Sequence, residues 1–139
     1  MLKGYIKLHR LYFLVEYDET ALRLTSQGDY NTVKTECEGI SGQLLDLRSH
    51  AEAKMAVEFV ANQAGFYLGA FDARDNAYGW ESGAPFSNQL FLNGEGTLGS
   101  ESAAIMINGS PWLVDIVSSG NYVAICKGNI YSIFILENN

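Results

Sequence analysis

Apolar residues fall along this chain in short blocks whose period changes several times, and each change marks a boundary between elements. Over Gly4-Tyr5-Ile6-Lys7-Leu8-His9-Arg10-Leu11-Tyr12-Phe13-Leu14-Val15-Glu16-Tyr17 branched and aromatic side chains alternate imperfectly, which favours one long strand or a hairpin over a helix. Asp29 then stands where a helix N-cap belongs, Val33 and Cys37 share one helical face at i, i+4 spacing, and Gly39 follows as a left-handed stop. A helix of about two turns is predicted there. Gly42 to Leu47 reads as a short extended piece, and Ser49-His50-Ala51-Glu52 is a capping box that opens a second helix. That helix should run to about Gln63, bury Met55, Ala56, Phe59 and Val60, and end at Gly65.

Past Gly65 the helical period disappears. Phe66-Tyr67-Leu68-Gly69-Ala70 reads as a buried strand, whereas Phe71 to Glu101, about thirty residues studded with glycine, shows no sustained pattern. Unstructured stretches of that length inside a domain are usually functional. Ala103 to Ile107, Pro111 to Asp115 and Tyr122 to Cys126 follow as consecutive antiparallel strands, and Ile130 to Leu136 is long enough to be another. The order of strand, two helices, strand, long loop and strand meander predicts an α+β domain with its helices segregated from an antiparallel sheet.

Length and composition narrow the role. With 139 residues the chain builds one domain, and 47% hydrophobic residues against 18% charged ones fill a core, which excludes intrinsic disorder. Sixteen acids against nine bases leave a net charge of −7, so binding to nucleic acid is not expected. Membrane insertion is not expected either, because no apolar run approaches the roughly 18 residues that span a bilayer. The first residues lack the apolar core and cleavage site of a signal peptide.

Catalysis lacks a constellation. His9 and His50 stand alone, no G-x-S-x-G, H-E-x-x-H or C-x-x-C is present, and the acids offer no pairing more specific than Glu95 with Glu101. An enzyme is therefore not expected. The two cysteines, Cys37 and Cys126, read either as buried thiols or as a staple between the first helix and a late strand. Trp80 and Trp112 read as core residues or as stacking platforms, and Leu90-Phe91-Leu92 as a plug beneath the loop or an exposed protein contact. Asn108-Gly109-Ser110 has the form of a glycosylation site, with Pro111 directly behind it.

From residue 29 to 127 the chain resembles the C-type lectin-like domain. Asp29 to Cys37 looks like that family's first helix ending at its first cysteine, and Gly42-Gln43-Leu44 with Ser49-His50-Ala51-Glu52 like its G-x-L and S-x-x-E stretch. Tyr67-Leu68-Gly69-Ala70 stands in place of W-I-G-L, and Gly79-Trp80-Glu81-Ser82-Gly83 resembles the W-x-D-G turn. Trp112 with Asp115, then Tyr122 to Cys126, resembles the W-N-D segment leading to the final cysteine. The resemblance implies that Cys37 and Cys126 are bonded and that the protein is extracellular or secreted. The family's second cystine has both positions replaced, by Ala103 and Ser118. Segments 4–17 and 130–136 lie outside the match and are expected to pair as neighbouring terminal strands of the single domain 1–139.

Sugar-binding members of the family hold calcium on the long loop with an E-P-N stretch, a later Glu and the Asn and Asp of W-N-D. Calcium needs six to eight hard oxygen ligands. The resemblance places Glu95, Glu101 and Asp115 as the candidate metal ligands, but Thr97 replaces the first amide, Gly96 the proline, and Leu113-Val114 the second amide. Asp72, Asp75 and Glu81 read as auxiliary ligands or as solvated turn residues. The expected function is therefore a non-catalytic recognition module that binds a protein or other ligand without calcium, through Phe91, Glu95, Thr97, Glu101, Trp112 and Asp115. No cofactor is required on that reading. Calcium-dependent glycan binding through the same loop is the alternative, and a structural or homo-oligomer-forming subunit is a third.

Overall fold

The computed structural model describes residues 5–8, 11–14, 20–60, 65–73, 77–91, 103–107 and 112–129. Its strands are β1 (Tyr5–Leu8), β2 (Leu11–Leu14), β3 (Thr20–Leu24), β4 (Gly42–Leu44), β5 (Gly65–Ala73), β6 (Ala77–Trp80), β7 (Ala103–Ile107), β8 (Leu113–Ile116) and β9 (Val123–Asn129). The helices are α1 (Tyr30–Gly39) and α2 (His50–Phe59), and a single 3₁₀ turn covers Asn88–Leu90. The class is α+β as expected. Segment 130–136, expected as a final strand, lies outside the described residues.

Both helices start where their caps put them. The Asp29 carboxylate accepts the Thr32 N–H at 2.8 Å, and the Ser49 hydroxyl accepts the Glu52 N–H at 3.2 Å. Glu52 reaches back one residue further than in the usual box, to the Arg48 N–H at 3.1 Å. The helix ends differ from expectation. α1 includes Gly39 and turns at Ile40, whose N–H bonds the Cys37 carbonyl, and the left-handed residue is Ser41 with φ 60°. α2 stops at Phe59, and Gly65 begins β5 rather than ending a helix. Its inward face is Ala53, Ala56, Phe59 and Val60, while Met55 is only half-buried.

The sheet order is β1-β2-β3-β9-β5-β7-β8, with β4 added on β9 and β6 on β5. β9 pairs antiparallel with β3 and β4 but parallel with β5, through Phe66 opposite Val123 and Tyr67 opposite Ala124. The sheet is thus mixed, not purely antiparallel. β1 and β2 form the hairpin allowed for residues 4–17, with Leu8 opposite Leu11. Two elements depart from the sequence reading: β3 falls where no strand was expected, and the first part of the expected loop is a hairpin of β5 and β6 with Phe71 opposite Gly79.

Strand alternation divides the core in two. Phe66, Leu68, Ala104, Met106, Leu113, Val123 and Ile125 face α2 and the chain after β6 in the larger cluster. Tyr67, Ala103, Ile105, Ala124 and Cys126 face α1 through Tyr30, Val33 and Cys37. On that side Cys37 and Cys126 form a disulfide, with their Cα atoms 5.2 Å apart and both residues fully buried. Gly69 has a packing reason. Its N–H bonds the Leu45 carbonyl at 2.9 Å, and a Cβ there would stand 3.1 Å from Leu44.

Candidate functional site

Of the expected site residues Phe91, Trp112 and Asp115 are described; Asp115 lies in β8, whose burial alternates. Leu113 is fully buried and Asp115 is 3% exposed, both turned toward the larger core; Val114 and Ile116 are half-buried on the opposite face. Trp112, just before the strand, is 36% exposed and departs from the core reading given to it above. Val117, just after, is exposed as well. Neither oxygen of Asp115 has a hydrogen-bond partner among the described residues. A carboxylate in that position has given up hydration without a compensating bond.

The chain approaches and leaves Asp115 on both sides. Phe91 bridges to Leu113 in parallel, Ala103 pairs with Ile116, and Ala104 pairs with Asp115. Phe91 and Ala103 thus pair with β8 on either side of that carboxylate; Glu95, Thr97 and Glu101 lie outside the described residues. Phe91 itself is a plug. It is 6% exposed and packs against Tyr78 and Phe86, with ring centroids 5.0 and 5.7 Å away, so its expected role in contacting ligand is corrected. Leu90 and Trp80 are buried in the same aromatic cluster.

The turn after β8 is held by tyrosines. Tyr67 donates its hydroxyl to the Gly120 carbonyl at 2.7 Å, with the Ser118 carbonyl at 3.3 Å, and the Tyr30 N–H bonds the Ser118 carbonyl at 2.9 Å. Burial pushes the Tyr67 hydroxyl up to about 12, with the neighbouring Tyr122 adding to the shift. Ala103 and Ser118, the two positions without cysteine, sit at this same end of β7 and β8, because Ala103 pairs with Ile116. Hydrogen bonds anchor the turn where no cystine does.

The remaining candidate acids have separate fates. Glu81, weighed as an auxiliary ligand, forms an ion pair with Lys34 at 2.7 Å, and that bond raises the Lys34 ammonium above its ordinary value. Burial, then Glu81, raises the Tyr30 hydroxyl too. Asp72 lies in β5 opposite Tyr78. His50 opens α2, and Asp75, His9 and the Asn108 sequon lie outside the described residues. A buried polar link escaped the sequence reading: Ser82 donates to Asp46 at 2.5 Å, and Lys127 lies 3.6 Å from the same carboxylate. The only sequence signal for it is an Asp amid the apolar Leu44-Leu45-Asp46-Leu47. Among the described residues no group of three or more His, Cys, Asp or Glu is placed to hold a metal ion.

No protein-family model and no curated protein matches the chain. Solved structures do. The C-type lectin domain of murine dendritic cell inhibitory receptor 2, in complex with N-glycan, superposes with a TM-score of 0.74 at 16% identity, covering 89% of this chain and 99% of that one. The C-type carbohydrate-recognition domain of cow CD23, in the presence of an oligosaccharide, gives 0.73 at 17%, covering 91% and 98%. A calcium-independent type II antifreeze protein gives 0.73 at 14%, covering 91% and 96%. The fold is that of a C-type lectin-like domain, with its helix-to-sheet disulfide in place.

Proposed function

We propose that the chain is a non-catalytic recognition module, working outside the cell, that binds a protein or other ligand without calcium through β8 and the chain between Phe91 and Ala103. The observation that carries this reading is the donor set of β8. Leu113 is fully buried in the core and Val114 is apolar, so the strand offers Asp115 as its single oxygen-bearing side chain where calcium would need several. Exposed Trp112 and Val117 at the two ends of β8 supply apolar contact area instead. The antifreeze protein, named as calcium-independent, lends support at the level of fold. The buried disulfide fits an oxidising compartment.

One observation favours a second reading, calcium-dependent glycan binding by Glu95, Glu101 and Asp115. The Asp115 carboxylate is buried without a partner among the described residues, which a cation would satisfy, and Phe91 and Ala103, between which both glutamates fall in sequence, pair with β8 on either side of it. Calcium would supply there a Lewis-acidic centre on which vicinal sugar hydroxyls complete the coordination. The receptor and CD23 domains are named with glycans, which supports the same reading. Calorimetry with calcium, followed by a glycan array with and without chelator, separates the two. The first reading expects no calcium heat and unaltered ligand capture in chelator. Calcium heat that vanishes in Asp115→Asn, with chelator-sensitive glycan binding, would replace it by the second.

A further inference from the structure

Away from β8, a cleft of about 690 Å³ opens between the start of α2 and the chain that follows β6. Its size lies within the range of about 300–1,000 Å³ typical of small-molecule sites. The buried side chains of Leu47 and Leu90 form the floor, and half-buried Phe86 forms a wall. The rim is polar and exposed: Arg48 and Ser49 on one side, Ser87 and Gln89 on the other.

The rim offers both a cationic group and hydroxyl donors. Ser49 already accepts the Glu52 N–H at 3.2 Å and Ser87 the Gln89 N–H at 3.2 Å, which leaves the proton of each hydroxyl to donate. The Arg48 guanidinium forms no ion pair with a described residue; the carboxylate of Glu52 is turned to the Arg48 backbone N–H instead. None of the described residues lining the cleft is acidic, although the chain as a whole carries −7. The walls are also fixed in advance. Ser82 is bonded to Asp46, the Ala84 N–H bonds the Ser82 hydroxyl at 3.2 Å, and Phe86 packs on Trp80 with centroids 5.0 Å apart.

We propose that this cleft binds a small amphipathic carboxylate, its apolar body on Leu47, Phe86 and Leu90 and its charged end at the Arg48 rim. An apolar floor selects against a fully hydrated ion, and the Arg48 guanidinium at the rim selects an anionic end over a neutral or cationic one, with the Ser49 and Ser87 hydroxyls able to donate to it. The site is separate from the β8 face and stands or falls independently of its ligand.

The test is a methyl NMR titration of the full chain with octanoate, octanol and octylammonium. Octanoate should move the Leu47, Ala84 and Leu90 methyl resonances, and Arg48→Gln should weaken it about tenfold or more while leaving octanol unchanged. Arg48→Lys should retain part of the octanoate affinity. Arg48 is exposed, so the folded spectrum of each variant serves as its own control. Absence of shifts at those methyls, octanol or octylammonium binding as tightly as octanoate, or equal octanoate affinity in Arg48→Gln would each overturn the proposal.

Discussion

At the scale of single residues, the most exacting environment is that of Asp115, where a buried carboxylate lacks any hydrogen-bond donor among the described residues. Burying an uncompensated charge is unfavourable, so in chelator Asp115→Asn should raise stability by about 1–2 kcal/mol in urea unfolding at neutral pH. A loss instead would show that the carboxylate is satisfied in solution. Tyr67 presents the opposite case, a buried hydroxyl with a 2.7 Å bond to Gly120. Tyr67→Phe should lower stability by about 1 kcal/mol. Its pKa in the folded state is raised to about 12, so the native form prefers the protonated phenol. The associated stability is fully present below the unfolded value of about 10 and is lost as pH rises from there toward 12. Urea midpoints at pH 9 and 11 should therefore fall for the wild type, and fall less steeply for Tyr67→Phe.

At the scale of elements, the disulfide and the helix ends decide most. Cys37 and Cys126 are 89 positions apart, so replacing both with alanine should remove about 4–5 kcal/mol by loop entropy, read from the shift in urea midpoint. Ser41 holds the left-handed conformation at the end of α1 where the sequence suggested Gly39. Ser41→Gly should gain about 0.5–1 kcal/mol in the same assay, because only glycine enters that region without crowding its Cβ. What could be read in advance follows from the range of the forces involved. The caps at Asp29 and Ser49 act within three residues and were legible. β3 was not, because Thr20-Ala21-Leu22-Arg23-Leu24 has no strong strand pattern of its own and is drawn into the sheet by β9, a hundred residues away in sequence order. The β5–β6 hairpin hid behind its glycines, since Gly79 suggested irregular chain although Tyr78 and Trp80 alternate inward. For the candidate site the sequence offered residue types alone. The lone carboxylate, the plug at Phe91 and the Arg48 cleft required tertiary packing to appear.

At the scale of the whole molecule, β9 is the strand that joins the parts. It pairs with β3, β4 and β5 and carries half of the disulfide to α1, so it links the N-terminal strands, the first helix and the β5–β7–β8 side of the sheet. Leu24 opposite Ile125 is typical of its contacts, which are nearly all remote in sequence. Such a topology folds slowly, in about milliseconds to seconds, and stopped-flow refolding should be slower for the reduced chain than for the chain with its disulfide intact. A further consequence concerns vectorial synthesis. A ribosome delivers β9 after β3, β4 and β5, so the nascent polypeptide waits with those strand edges unpaired, and chaperones that shield apolar surface have their opportunity before β9 emerges.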